Sequence, residues 1–576
     1  MSNVSLLSVL RERASSTPDD VAFTFTDYDQ DADGIADRVT WGQLYRRTVN
    51  VAEELGRHGS PGDRALIIAP QGLPYVVGFL GAMWAGFIAV PLSVPVAGSH
   101  DERVSAVVTD TSPAVVLTTA AVADIAAQYV DDGAAVIAVI AVDMLDLDAH
   151  QPLGAPVTAG PDVAYLQYTS GSTRLPAGVM ISHRNVCANF EQLMAEYMPH
   201  HGGEFPPGTT LVSWLPFYHD MGLILGIAAP ILSGHPADLM SPLAFLSRPA
   251  RWLETMARQP RAWSGAPNFA FDLTARRTTD EELQYLDFSG VVGVINGAER
   301  IHPETLSRFN KRLAPNGFRP EMIVPSYGLA EATVFVASGG AERAPETVEF
   351  DANRLSQNTA VRKPGGTELL RYQIPRSPLL RIVDSETCRL CADGTVGEIW
   401  VHGDNVSAGY WRKPEQTGSA FGAHVVDAPD GLDLPTEGWL RTGDQGFISD
   451  GELFVVGRIK DMLIVRGRNH YSDDIEATVQ RITRGRVAAI AVADEDTEKL
   501  VTIVELKKTG DSDTLTTVKN DVIAAISRVH GLQVSDIVLV EAGALPTTTS
   551  GKVRRAASAE QYRQGQFVRL DVSPTS

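Results

Sequence analysis

Cysteine is almost missing from this chain, with three in 576 residues. That is too few for a disulfide framework, so a reducing compartment, the cytoplasm, is expected. Basic residues are scarce too. Lysine and arginine total 49 against 70 aspartates and glutamates, a net charge of −21, which excludes a protein that tracks nucleic acid or rests electrostatically on anionic lipid. A basic leader is lacking, because Arg11, Glu12 and Arg13 directly follow the first short apolar stretch. No signal peptide is therefore expected. No repeat of 20–50 residues and no low-complexity tract occurs, which argues against solenoids and disordered linkers.

Charge is absent from Ala65 to Ser99, a run longer than the ~20 residues of a membrane-spanning helix. Pro70, Pro74, Pro91 and Pro95 break it, with Gly72, Gly78, Gly81 and Gly86 between them. The pattern reads as buried strand, buried helix and buried strand, a parallel unit covered on both faces, and no transmembrane segment is expected.

The rest is an ordinary globular composition, 44% apolar and 21% charged. Buried-strand patterns recur at AVVLTTA, AAVIAVIAV, VAYLQYT, TLVSWLP, VVGVIN and EMIVPSYG. A helix is predicted at SHRNVCANFEQLMAEYM, where Val186, Phe190, Leu193, Met194 and Tyr197 share a face. From about Leu379 the pattern changes to alternating, glycine-bearing strands, as in GEIWVHG and GELFVVGRI, which predict antiparallel or mixed sheet. After Asp461 a compact tail alternates helices and strands. The reading is an α/β protein with a large N-terminal body of packed sheets, residues 1–460, and a small C-terminal α/β cap, residues 461–576.

Chemistry concentrates in turns. Thr169, Ser170, Gly171, Ser172 and Thr173 lie between a predicted strand and Pro176-Ala177-Gly178. Hydroxyls and backbone N–H groups in such a turn suit phosphate oxygens, although the P-loop consensus is missing. Tyr327-Gly328-Leu329-Ala330-Glu331 follows an apolar strand. Leu440-Arg441-Thr442-Gly443-Asp444, Gly457-Arg458-Ile459-Lys460-Asp461 and Thr549-Ser550-Gly551-Lys552 come later in that order. Cys388 and Cys391 form a lone CxxC with no second pair, and His200-His201 abuts glycines, so neither is read as a metal site.

In this order and spacing the motifs resemble the adenylate-forming (ANL) superfamily over nearly the whole chain. Tyr165–Tyr168, Trp214–Gly222 and Ala266–Phe271 look like its fatty acyl-AMP ligase branch, the actinobacterial type that feeds polyketide synthases. A polar segment from about Pro345 to Pro378 resembles that branch's insertion. The resemblance implies the ANL fold and activation of a long-chain fatty acid by ATP with Mg²⁺. The acyl group would then pass to the phosphopantetheine thiol of an acyl carrier protein domain of a polyketide synthase.

It also implies residue roles. Lys552, Glu331 and His219 are the catalytic set, with Glu331 holding Mg²⁺, Lys552 reaching the α-phosphate and His219 near the substrate carboxylate. Thr169 to Thr173 take the phosphates. Gly297, Ala298, Glu299, Tyr327, Gly328 and Leu329 flank adenine, Asp444 grips the ribose with Arg458 assisting, and Asp461 is the hinge of the cap. The superfamily's hydroxyl loop usually ends Pro-Lys-Gly, whereas Ala177 stands at the lysine position here, and Arg174 is the candidate to replace that charge, a point the sequence leaves open. Trp214–Leu225 and Trp263–Phe271 are the expected acyl tunnel. Arg481, Arg484, Arg486, Arg554 and Arg555 are either a solvated face or a dock for an acidic carrier domain. The alternatives are a long-chain acyl-CoA synthetase, which shares every motif but the insertion, and a silent acyl-nucleotide scaffold.

Overall fold

A computed structural model describes residues 4–96, 100–130, 137–149, 162–169, 176–427, 434–465, 468–494, 497–506, 511–548 and 552–571. The uncharged run forms the strand Arg64–Ile68, the helix Leu73–Trp84 and the strand Ile88–Leu92, with the two strands parallel. Pro74 sits in the helix's first turn, where its missing N–H costs nothing. Gly86, at φ 79°, ends the helix in the left-handed conformation that a side chain disfavours. These strands lie at the centre of a six-stranded sheet that ends in Val163–Thr169 and Ala177–Ser182.

A second sheet has eight strands. Arg261–Pro267, Val291–Gly297 and Ile323–Tyr327 run parallel in its middle, so their C-terminal ends open on one side. A third, five-stranded sheet is antiparallel throughout and contains Gly397–His402, Leu440–Ser449 and Glu452–Arg458.

The helix His183–Tyr197 joins these layers. Ser182 caps it in a reciprocal box with Asn185. Its inner face is less apolar than the sequence suggested, because Asn185, Asn189 and Gln192 are buried beside Val186, Leu193, Met194 and Tyr197. Each amide bonds another segment. Asn189 exchanges two 2.9 Å bonds with the backbone of Phe335, Asn185 donates to the carbonyls of Asp404 and Val406, and Gln192 donates to Ser377. The helix thus fixes the turn that carries Glu331.

After residue 462 the chain builds cores of its own. A three-stranded sheet, Val487–Asp494, Thr497–Leu506 and Val534–Glu541, packs Ser472–Thr483 and Ser512–His530 through Ile475, Val479, Val522 and Ile526. Arg555 staples this unit to the turn before it. Its guanidinium pairs with Asp461 at 2.6 Å, with Glu476 at 2.8 Å and with Asp473.

Residues 345–378 are not a bare surface loop. Thr347–Phe350 pairs with Thr367–Leu370, and Tyr372–Gln373 joins the five-stranded sheet beside Leu453. The apolar residues Leu369, Leu370, Tyr372 and Ile374 do not form a single patch. Leu370, Tyr372 and Ile374 pack into the main body, whereas Phe350, Leu355 and Leu369 cluster with Phe447, Phe454 and Tyr471, and with Met462 at the edge. The short pleated pair sends alternate residues to opposite sides, which splits the patch.

Arg555→Met removes the cation from the buried Glu476 and from the half-buried Asp461 and Asp473. Breaking such a pair costs about 3–5 kcal/mol. Burial already raises the Glu476 carboxyl to about 7 against the opposing arginine. Without Arg555 that pKa rises further, so the folded state holds a proton that the unfolded state has released above its own carboxyl pKa. Stability is therefore lost as pH rises. Urea unfolding at pH 6 and pH 8 is expected to show the larger loss at pH 8.

Candidate active site

Two turns at the C-terminal ends of the parallel strands and a third from the antiparallel sheet meet the cap. The strand Val291–Gly297 runs into Ala298, which holds φ at 64°. An L-residue there costs roughly 1–2 kcal/mol. The bend presents the Ala298 carbonyl, and the Lys552 ammonium donates to it from the cap. Glu299 follows, and its Oε1 accepts the Phe269 N–H at 2.6 Å. Burial lowers the Lys552 pKa while Glu299 opposes the shift, and burial raises Glu299 while Lys552 opposes it.

The strand Ile323–Tyr327 leads to Gly328. A Cβ there would lie 1.7 Å from the Val334 carbonyl oxygen, so only glycine permits this crossing. The turn places Glu331 where Tyr410 donates to its Oε1 at 2.8 Å. Burial raises the Glu331 carboxyl despite that bond. Leu329 is buried behind the turn.

The third turn belongs to the antiparallel sheet. Asp444 is 6% exposed. Its Oδ2 accepts the Tyr327 hydroxyl at 2.8 Å, and Oδ1 faces Arg458 Nε at 3.4 Å from the neighbouring strand. Burial raises Asp444, with Arg458 opposing, while the charge of Asp444 raises Arg458.

His219 joins this group through its neighbour Asp220. Its Nδ1 pairs with Asp220 at 2.7 Å. Burial alone would raise the Asp220 carboxyl, but the charge and bond of His219 and the Met221 N–H hold it below the usual range. Asp220 feels the charge of Lys552, and Glu331 feels that of Asp220. After Leu223 the chain makes a π-helical turn, Ile224–Ala228, a distortion frequent at functional sites. Trp214 stacks on Phe245 with ring centroids 3.9 Å apart.

The structure therefore gathers Gly297, Ala298, Glu299, Tyr327, Gly328, Leu329, Glu331, Asp444, Arg458 and Lys552 into one linked group, which His219 joins through Asp220. Thr169 ends its strand paired with Ala177. Ser170, Gly171, Ser172, Thr173 and Arg174 lie outside the described residues, as do Thr549, Ser550 and Gly551. Asp461 sits in the turn between body and cap, held by Arg555.

The cap arginines are not one open basic face. Arg555 is enclosed by carboxylates, Arg481 pairs with Glu304 of the body at 2.9 Å, and Arg486 faces Glu505 at 3.5 Å. Arg481, Arg484, Arg486 and Arg554 are nonetheless exposed.

Tyr410, Asp220 and Glu398 escaped the sequence reading. Glu398 is 3% exposed. It accepts from Trp400 Nε1, Gly443 N–H and Arg441, and so fixes the loop that carries Asp444. Its signal was faint, an acidic residue in an otherwise apolar strand. Among these groups the Glu331 carboxylate is the one suited to a divalent cation. Glu331 is a buried carboxylate with a raised pKa, and a cation beside it would reverse that shift.

Glu398→Ala leaves three donors unpartnered and is expected to cost about 3–5 kcal/mol. A parallel fall in ATP affinity is expected in calorimetric titration. Unchanged affinity at reduced stability would mean that Glu398 does not position Asp444.

A family model described as AMP-binding enzyme matches residues 10–411, and one described as Disco-interacting protein 2-like, AMP domain, matches residues 460–571. A Mycobacterium leprae protein with the provisional name fatty-acid–CoA ligase fadD21 is 59% identical over 99% of this chain and 100% of its own. The long-chain-fatty-acid–AMP ligase FadD28 of Mycobacterium tuberculosis is 56% identical over 99% of this chain and 100% of its own. A solved fatty acyl-adenylate ligase from Legionella pneumophila, in complex with acyl adenylate and pyrophosphate, is 33% identical with a TM-score of 0.73. That match covers 99% of this chain and 98% of that one.

Proposed function

The chain belongs to the AMP-binding enzymes, and on that footing we propose that it is a fatty acyl-AMP ligase that hands its acyl group to a carrier protein. An adenylate-forming ligase of this kind joins a fatty carboxylate to AMP at the expense of ATP. A carboxylate oxygen bonds to the α-phosphorus as the bond to the departing pyrophosphate breaks. Two anions must meet, so the protein's task is alignment and charge stabilisation.

The observation that carries this reading is the Lys552 ammonium seated on the Ala298 carbonyl, beside the cleft formed by Glu331, Asp444 and Tyr327. From there Lys552 neutralises charge on the α-phosphate and carboxylate. Asp444 takes the ribose hydroxyls with Arg458 beside it, and Tyr327, Gly328, Leu329 and Gly297 to Glu299 enclose adenine. Thr169 to Thr173 receive the phosphates. His219, kept oriented by Asp220, faces the substrate carboxylate. Glu331 would hold Mg²⁺, which supplies charge neutralisation to the phosphates when bound.

The relatives' names divide between CoA ligase and AMP ligase, so the acceptor is the open choice. The packing of residues 345–378 favours the carrier. Besides its contact with Tyr471, this segment accepts two bonds from Asn469, at Asn358 Oδ1 (3.0 Å) and at the Ser356 carbonyl (3.2 Å). Both residues lie just beyond Asp461. Such ties bias the cap toward the pose with Lys552 inside and against one that admits free CoA. The acceptor proposed is the phosphopantetheine thiol of an acyl carrier domain of a polyketide synthase, and the substrate is a long-chain fatty acid. A cytoplasmic setting agrees with the few cysteines. Among the described residues no helix is long and apolar enough to cross a membrane.

Lys552→Ala is expected to slow single-turnover acyl-AMP formation about 10²–10³-fold. Because burial lowers its pKa, the ammonium is lost at a pH below the ordinary lysine value of about 10.4. The alkaline limb of kcat/KM for ATP should fall there, and Lys552→Arg should move it upward.

Asn358 has φ 59°, so Asn358→Gly removes one cap contact at a position that suits glycine. One hydrogen bond is worth about 0.5–1.5 kcal/mol. The variant is expected to keep its acyl-AMP rate while acyl-CoA formation rises about two- to tenfold. A parent protein that makes acyl-CoA as fast as acyl-AMP would overturn the carrier reading.

A further inference from the structure

The segment Gly409 to Lys413 runs antiparallel beside the strand Ala177–Ser182. Met180 N–H donates to the Gly409 carbonyl at 2.9 Å, and Trp411 N–H to that of Gly178 at 2.8 Å. A turn locks its far end, with Tyr410 N–H bonded to Thr417 Oγ1 and Thr417 N–H to the Lys413 carbonyl. Two side chains leave this segment for the cleft's walls. Tyr410 reaches Glu331, and the Lys413 ammonium reaches the Pro176 carbonyl at 2.7 Å.

Lys413 is half-buried, and among the described residues it meets no carboxylate within ion-pair distance. Arg412 beside it bonds the Asp110 carbonyl and lies over the Trp411 ring, while elsewhere in the site Arg458 pairs with Asp444 and Arg441 with Glu398. Lys413 instead rests on a neutral carbonyl, which takes one of its three protons. The residue after that carbonyl is Ala177, which carries no charge.

We propose that Lys413 binds the β- and γ-phosphates of ATP, and so the departing pyrophosphate, with its two remaining protons. This rests on the ligase reading above and adds to it a residue for the leaving group. Lys552 and Arg458 stand at the Ala298 and Asp444 side, where AMP would lie, whereas Lys413 stands on the Pro176 side. Its charge therefore acts on the polyphosphate and not on the adenylate. A bare brace for Pro176 would need only a hydrogen-bond donor, which glutamine also supplies.

The test uses the full chain, with ATP, inorganic pyrophosphate and a non-hydrolysable acyl-adenylate mimic as probes. Lys413→Gln is expected to raise the KM for ATP and the inhibition constant of pyrophosphate each about tenfold, the usual size for one charge-assisted contact. The mimic's affinity should stay within about twofold. Lys413→Arg should retain most of the pyrophosphate affinity. Adding Ala177→Lys to Lys413→Gln restores a cation one residue from Pro176 and should recover it. If Lys413→Gln leaves the pyrophosphate constant unchanged, or weakens the mimic in step with ATP, Lys413 is only a brace and the proposal fails. A parent protein that does not bind the mimic overturns the ligase reading itself, a result separate from the pyrophosphate comparison.

Discussion

One contact joins residues 254 positions apart, the Lys552 ammonium on the Ala298 carbonyl. Nearly every other feature of the cleft serves to make it possible. The parallel strands must end together so that Ala298 and Glu331 share one rim. The cap must fold on cores of its own so that it can carry a charged side chain into the body as a unit. The turn at Asp461 must hold the cap in register, which the guanidinium of Arg555 does from within the cap. Desolvating an ammonium is costly, and Glu299 offsets part of that cost from the same bend.

The cleft's charges follow from the same constraint. Glu299, Glu331 and Asp444 are all pushed toward their neutral forms by burial, while Asp220 is held ionised by His219. A site so rich in strained carboxylates is poised for cations and for ligands that bring them. It is poorly suited to a bare polyanion. The few basic groups at its edges therefore carry more weight than their number suggests in a chain of charge −21.

Much of this was legible in the sequence. The proline- and glycine-broken apolar run dictated the central strand–helix–strand unit, because an uncharged segment with such breaks can be buried but cannot span lipid. The motif order singled out Glu331, Asp444 and Lys552 through a family resemblance, and the fold brings their charges within reach of Arg458. The amide-bearing face of His183–Tyr197 was not legible. Asn185, Asn189 and Gln192 look like solvent residues until their partners, more than a hundred positions away, are known. The split of the 345–378 segment between two cores was hidden for a similar reason. Leu369 and Leu370 are chemically alike, and only the pleat sends one toward Tyr471 and the other into the body. Tyr410 lacked a signal because its task is defined by Glu331, which lies far off in the chain.

The partner of Lys552 is a main-chain carbonyl, and no substitution at position 298 can delete it. Heritable variation there can act only on backbone conformation, where glycine or asparagine would hold the left-handed bend and a β-branched residue would not. The docking point for the cap is thus buffered against mutational drift in its chemistry. What remains exposed to selection is the shape of a single turn.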